Sequence, residues 1–146
     1  AAYSGRPVDT PSWAAAAAYA RDINSVAFPH YGDEDWMAFA QRTFREGSDG
    51  TPQLDYDPDI AVPTRAGGQK ALTPNLWPAF RGLARHRPTL LIRGQNSDLL
   101  SPQIAARMQR AAPNMAYVEV TDVGHAPMLD EPESKAAIFA FLQTVD

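Results

Sequence analysis

The chain has 146 residues, of which 45% are hydrophobic and 21% charged, and its formal net charge is −4. This is the composition of an ordinary folded domain, and it excludes a disordered or collagen-like chain. The acidic balance, without any basic block, argues against nucleic-acid binding. Because the chain has no cysteine, disulfides and thiolate chemistry are excluded as well.

The first half of the sequence predicts two helices followed by a long segment rich in turns. Ser12 precedes five alanines, which predicts a capped helix from Trp13 to Ser25. A second helix is predicted from Gly32 to Glu46, because acidic residues crowd its first turn and apolar residues recur at helical spacing. Proline and glycine then interrupt the pattern from Ser48 to Thr73, where Leu54-Asp55-Tyr56 is the only expected strand.

The last third alternates helices and strands in the manner of a parallel sheet. A helix with Leu76, Trp77, Phe80 and Leu83 on one face is predicted over Asn75 to Ala84. Ile104, Ala105, Met108 and Ala112 are expected to form the buried face of the helix after the first strand. The remaining predicted elements, in chain order, are strand Thr89–Arg93, helix Pro102–Ala112, strand Tyr117–Val120 and helix Glu133–Val145.

Two polar residues follow the two predicted strands closely. Asp98 lies five residues beyond Arg93, and His125 lies five residues beyond Val120. The carboxyl ends of neighbouring parallel strands meet at one edge of the sheet, where ligands commonly bind. A carboxylate that accepts the Nδ1–H of an imidazole leaves Nε2 free as a general base. Asp98 and His125 are therefore the candidate catalytic pair, although each could instead serve only as a helix cap or a loop residue.

Two sequence runs carry a resemblance to a known family. PTLLIRGQNSDLLS and VTDVGHAPMLDEPE, followed by a terminal amphipathic helix, resemble the C-terminal end of an α/β-hydrolase-fold enzyme. In that family the catalytic triad follows the chain order Ser, then Asp or Glu, then His. The resemblance assigns the acid to Asp98, in the form S-D-x-L-S, and the histidine to His125, in the form G-H-x-P-x-x-x-E-P.

The resemblance implies the α/β class and a division of the chain into two parts. Residues 1–73 would be a helical, cap-like segment with its return loop. Residues 74–146 would be the C-terminal part of the hydrolase core, with two parallel strands, flanking helices and an incomplete sheet. The family's G-x-S-x-G nucleophile motif is absent from these 146 residues. We therefore expect a fragment or subunit of a hydrolase acting on an ester-like or other activated carbonyl, inactive by itself. The alternative is a non-catalytic interaction or binding domain of the same fold.

Further expectations concern substrate, partners and location. Trp36, Tyr56 and Met128 are candidates for binding an apolar or ester-like small molecule, with simple packing as the alternative for each. The exposed edge of the first parallel strand is expected to pair with a missing N-terminal half or with a second copy. His30, His86 and His125 lack ligand spacing, so no metal or other cofactor is expected. No apolar run approaches the ~18 residues of a membrane span, and we expect a cytoplasmic protein without a membrane partner. Because the chain begins with Ala-Ala-Tyr-Ser rather than Met, we expect a piece of something longer.

Overall fold

The computed structural model describes residues 9–57 and 74–145, which divide into two units. Within the described ranges, the first unit contains residues 9–26 and 30–57, and the second contains residues 27–29 and 74–145. Residues 27–29 thus belong with the second unit although they come early in the chain.

The first unit is a pair of helices followed by a hairpin. Helix α1 spans Trp13–Asn24, and the Ser12 Oγ caps it by accepting a hydrogen bond from the Ala15 N–H at 3.2 Å. Helix α2 spans Asp33–Thr43. Alanines from α1 are buried, and because these side chains are small the two helices can pack closely. The buried apolar residues of this unit are Ala16, Ala17, Ala20, Trp36, Ala40 and Phe44.

The predicted end of the second helix is wrong by three residues. The chain leaves the helix after Thr43, and strand β1 (Phe44–Glu46) pairs antiparallel with β2 (Pro52–Leu54). The turn between them is held by Asp49, whose carboxylate accepts hydrogen bonds from the N–H and hydroxyl of Thr51 at 3.0 and 2.7 Å. The Asp-Gly turn and the pairing with β2 override the helical spacing. The short strand predicted over Leu54-Asp55-Tyr56 is observed two residues earlier, at Pro52–Leu54.

The second unit has two parallel strands with helices around them, as the sequence predicts. Helix α3 spans Trp77–His86, α4 spans Pro102–Ala111 and α5 spans Pro132–Leu142. Strand β3 (Leu90–Gly94) pairs in parallel with β4 (Ala116–Val120), in a register that sets Leu90 opposite Ala116 and Gly94 opposite Val120.

Burial in the second unit differs from the expected helix faces. A core cluster forms around Ala84, Ala112 and Met115, with Phe80, Leu91 and Met108 packed against it. Ile104 was expected on a buried helix face but is 42% exposed, and Leu76 and Leu83, predicted on the apolar face of α3, are 63% and 57% exposed. Among the described residues only two strands lie under these helices, so the apolar faces are wider than the sheet that covers them.

Gly94, the last residue of β3, lies directly against the loop that follows β4. A Cβ atom at this position would overlap the backbone carbonyl groups of Val123 and Gly124. Gly124 in turn donates its N–H to the carbonyl oxygen of Ala27 at 2.7 Å, and a Cβ there would overlap Ala27. The close approach of these backbones leaves no room for a side chain at either glycine.

Replacing Gly94 by alanine should therefore destabilise the protein strongly. We expect Gly94→Ala to lower the free energy of unfolding by about 2–3 kcal/mol, since the obstructing atoms are backbone and cannot turn aside. Gly82→Ala is the matched control, because Gly82 lies within α3 with nothing near its would-be Cβ. That variant should gain about 0.5–1 kcal/mol, since alanine favours helix. Urea unfolding followed by circular dichroism measures both, and equal effects would contradict the close approach.

Candidate functional site

The loops that follow β3 and β4 are joined to each other by hydrogen bonds. The Gln95 N–H donates to the Val120 carbonyl at 2.9 Å, and the Asn96 N–H donates to the Val123 carbonyl at 2.8 Å. The Gln95 side chain completes the link, because its Oε1 accepts the Asp122 N–H at 3.1 Å. Residues 95–101 and 121–131 therefore form one surface at the carboxyl end of the parallel pair.

Each of these two loops carries one residue of the predicted catalytic pair. Asp98 and His125 are both exposed to solvent. Gly94 and Val120 are the last paired residues of β3 and β4. Asp98 lies four residues beyond Gly94, and His125 lies five residues beyond Val120, so the two offsets are nearly equal. Within the described residues no hydrogen bond joins the Asp98 carboxylate to the His125 imidazole. Their assembly into an acid–histidine pair stays a prediction.

The first loop is held by a buried arginine, Arg93, which is only 2% exposed. Its Nε donates to the Leu100 carbonyl at 2.6 Å, and its Nη2 donates to the Gln95 carbonyl at 3.1 Å. Its Nη1 forms an ion pair with Glu119 Oε2 at 2.6 Å. A buried cation is costly unless its donors are paired, and here each of these three nitrogens has an acceptor.

A tyrosine extends this network on β4. The Tyr117 hydroxyl donates to Glu119 Oε2 at 2.8 Å. This hydrogen bond, followed by the hydrogen bond and charge of Arg93, lowers the pKa of the Glu119 carboxyl from its ordinary value. Burial, followed by the hydrogen bond and charge of Glu119, raises the pKa of Tyr117. The glutamate is thus kept ionised beside the buried guanidinium.

The second loop is held by a glutamate. Glu131 Oε1 accepts the Met128 N–H at 2.7 Å, and Glu131 Oε2 accepts the hydroxyl of Ser134 at 2.7 Å. Ser134 is fully buried in the first turn of α5. The carboxylate therefore ties the segment just after His125 to the start of that helix.

Sequence reasoning missed the roles of Arg93, Ser97 and Glu131 in holding these loops. Ser97 is 9% exposed, and its Oγ accepts the Leu100 N–H at 3.0 Å. A charged residue at the end of the apolar run Leu90-Leu91-Ile92, with Glu119 on the next strand, was the available signal for Arg93. Using that signal would have required the strand register, which sets Arg93 opposite Glu119.

The three candidate substrate-binding residues have different surroundings. Trp36 is 3% exposed and packs against Tyr31 and Phe39 inside the first unit, with ring centroids 5.1 and 5.8 Å apart. Tyr56 is half-buried and lines a small cavity of about 80 Å³ in the same unit. Met128 is half-buried in the loop that carries His125.

Within residues 9–57 and 74–145, no group of three or more His, Asp or Glu side chains could hold a metal ion. None of the helices described is long and apolar enough to cross a membrane.

Comparisons with known proteins point to one fold. No protein-family model matches the sequence. The chain is similar to the 3-hydroxybutyrate-oligomer hydrolase of Cupriavidus necator, with 34% identity over 137 residues that cover 90% of this chain and 46% of that protein. Among solved structures, an alpha/beta hydrolase from Novosphingobium aromaticivorans matches with a TM-score of 0.85 and 38% identity over 98% of this chain and 50% of that one.

A more distant structure shows the same fold. A putative hydrolase from Rickettsia typhi matches with a TM-score of 0.74 and 22% identity, over 99% of this chain and 47% of that one. The chain spans about half the length of the relatives it matches. The predicted fold class is therefore confirmed: the chain has the α/β-hydrolase fold, in the form of the C-terminal part of that fold, with an incomplete sheet.

The network around Glu119 predicts a pH-dependent contribution to stability. Because folding lowers the pKa of this carboxyl, its contribution is present above the unfolded value of 4.5 and is lost as the pH falls further, through the folded pKa. The side chain is 39% exposed. Solvent screening therefore keeps the contribution below about 1 kcal/mol.

Urea unfolding between pH 3 and 7 provides the measurement, with Glu119→Gln compared with the unchanged chain. The stability difference between the two should be largest above the unfolded value and shrink towards zero as the pH falls. Glu46→Gln, at an exposed position in β1, is the matched control and should show no such trend. A difference that stays constant across this range would contradict the assignment.

Proposed function

We propose that this chain supplies the acid and the histidine of a hydrolase that works by acyl transfer. The observation that carries the proposal is the joining of the loops of Asp98 and His125 at the carboxyl end of the β3–β4 pair. Ligands gather at this end of parallel sheets, and triad residues of α/β hydrolases follow strands in the same chain order.

The nucleophile in this proposal is a serine outside the 146 residues. Its hydroxyl attacks the ester carbonyl while His125 takes up the proton, and Asp98 accepts the other imidazole N–H and stabilises the cation that forms. His125 then gives the proton to the leaving alcohol. A water molecule repeats the cycle on the acyl-enzyme, releases the acid and restores the serine.

The substrate class proposed is a short aliphatic ester. The similarity to a 3-hydroxybutyrate-oligomer hydrolase supports it, because units of a hydroxy acid are joined through ester bonds. Met128, in the loop of His125, is proposed to contact the acyl group. Tyr56 and Trp36 are kept as further proposed substrate-binding residues; Tyr56 lines a small cavity of its own unit and Trp36 lies in an aromatic cluster there. No cofactor takes part in this mechanism, and a cytoplasmic location stays a prediction.

The partner proposed is an N-terminal half of the same fold, paired with the outer edge of β3. The Ala116 N–H donates to the Thr89 carbonyl, and the Gln95 N–H donates to the Val120 carbonyl, both at 2.9 Å. In a parallel ladder alternate residues face opposite sides, so the backbone groups of Leu90, Ile92 and Gly94 turn away from β4. Among the described residues no strand pairs with that edge. Exposed Leu83 and Phe139, at 57% and 65%, add apolar surface that such a partner would cover.

The catalytic assignment can be tested in a chimera. The N-terminal half of the Novosphingobium hydrolase is placed before this chain, and hydrolysis of 4-nitrophenyl butyrate and of a 3-hydroxybutyrate trimer is followed. His125→Ala should lower kcat by at least about a thousandfold, and Asp98→Asn by at least about a hundredfold, because both act on the same proton transfer.

The control for these variants is His86→Ala, at an exposed histidine in the last turn of α3, which should keep full activity. Undiminished turnover in His125→Ala would refute its role. A folded chimera that neither turns over ester nor reacts with a fluorophosphonate probe for active serines would favour the alternative, a non-catalytic interaction domain.

The edge pairing can be tested without any activity. The same N-terminal half, expressed as a separate polypeptide, should form a one-to-one complex with this chain in size-exclusion chromatography with light scattering. Ile92→Pro removes an N–H turned towards the partner and should lower the yield of complex at least about tenfold, since proline cannot donate to a sheet ladder. Ile92→Val keeps that N–H and should bind normally. A chain that stays monomeric beside the N-terminal half would contradict the pairing, and a dimer of this chain would indicate self-pairing instead.

A further inference from the structure

Arg93 is placed where a charged side chain is not needed for the core. It is the last residue but one of β3 and is 2% exposed, in a strand whose other side chains are aliphatic or absent. Burying a charged side chain, even one that is paired, contributes little to stability compared with well-packed apolar side chains of similar volume. A reason for an arginine at this position must therefore come from what its guanidinium holds.

The guanidinium holds the backbone on both sides of Asp98. It binds the carbonyl oxygens of Gln95 and Leu100, which lie three residues before and two residues after that carboxylate. In the same loop, the Ser97 N–H donates to the Gly94 carbonyl at 3.1 Å, and the Ser97 Oγ accepts the Leu100 N–H. The path of the loop is thus set by contacts that do not involve the Asp98 side chain, which remains exposed.

From this arrangement we propose that Arg93 is a positioning residue for the acid of the catalytic triad. Its two bonds to loop carbonyls fix the backbone from which Asp98 extends, and its bond to Glu119 fixes the guanidinium relative to β4, the strand that leads to His125. On β4, Tyr117 donates a hydrogen bond to Glu119 and so helps to hold the carboxylate that binds Arg93. The inference rests on the proposed function for its catalytic meaning. Arg93 itself is not expected to contact substrate.

Lysine cannot replace arginine in this role. The guanidinium presents five N–H donors in a rigid plane, whereas an ammonium group presents its donors from one nitrogen. In Arg93 three different nitrogens reach three acceptors, two on the loop and one on β4. Arg93→Lys therefore keeps the charge and loses most of these hydrogen bonds. It separates positioning from simple electrostatic attraction.

The first arm of the test is amide hydrogen exchange on the chain itself. Arg93→Lys should speed exchange at Asn96 and Leu100, whose N–H groups bond within the joined loops, by at least about tenfold while the amides of β4 stay protected. Arg110→Lys, at an exposed arginine near the end of α4, is the matched control and should change neither. Unchanged exchange at Asn96 and Leu100 in Arg93→Lys would overturn the proposal.

A milder pair of variants keeps the proposal open to refutation if Arg93→Lys fails to fold. Glu119→Gln retains an oxygen acceptor for both Arg93 and Tyr117, and it should preserve the protection of Asn96 and Leu100. Glu119→Ala removes that acceptor and should speed exchange at the same two amides. Equal protection in these two variants would overturn the role of the network.

The second arm measures catalysis in the chimera described above. Arg93→Lys should lower kcat at least about tenfold and leave KM within about twofold, because misplacing the acid weakens the transition state more than substrate binding. Faster amide exchange in the loop with unchanged kcat would overturn the proposal that Arg93 positions Asp98 for catalysis. If the unsubstituted chimera shows no hydrolysis, the proposed function fails by itself, and the exchange results still decide whether Arg93 positions the loop.

Discussion

A buried positive charge organises the carboxyl end of the parallel strands. The guanidinium of Arg93 joins three parts of the second unit: its own strand, the loop that follows, and Glu119 on β4. Because each of its nitrogens needs an acceptor once it is buried, the loop has little freedom to take another path. The hydrogen bonds from Gln95 to the end of β4 and from Asn96 to the loop after β4 follow from that path.

The two loops are stabilised by polar contacts that do not use the candidate catalytic side chains. Arg93 holds the loop of Asp98, and Glu131 holds the segment just after His125 against Ser134. Within the described residues, no hydrogen bond uses the carboxylate of Asp98 or the imidazole of His125. The candidate catalytic residues are therefore separate from the residues that hold these two loops.

The exposed apolar surface of the second unit has a simple architectural cause. Parallel sheets are normally covered on both faces and extended on both sides, whereas the described residues provide only β3 and β4. The apolar faces of α3, α4 and α5 are wide enough for a larger sheet, so Leu83, Ile104 and Phe139 remain exposed. The match to about half the length of the related proteins agrees with this excess of apolar surface.

Local chemistry in the sequence was sufficient for the helices and the parallel strands that the structure describes, because caps such as Ser12 and Ser101 and helical spacing act within a few residues. The loop positions of Asp98 and His125 followed from the same reasoning and from the resemblance. The β1–β2 hairpin, the burial of Arg93 and the exposure of Leu76 were decided only by tertiary structure. Each depends on a partner distant in sequence: a paired strand, an acceptor on β4, or a covering surface. Spacing along the chain carries no information about whether that partner is present.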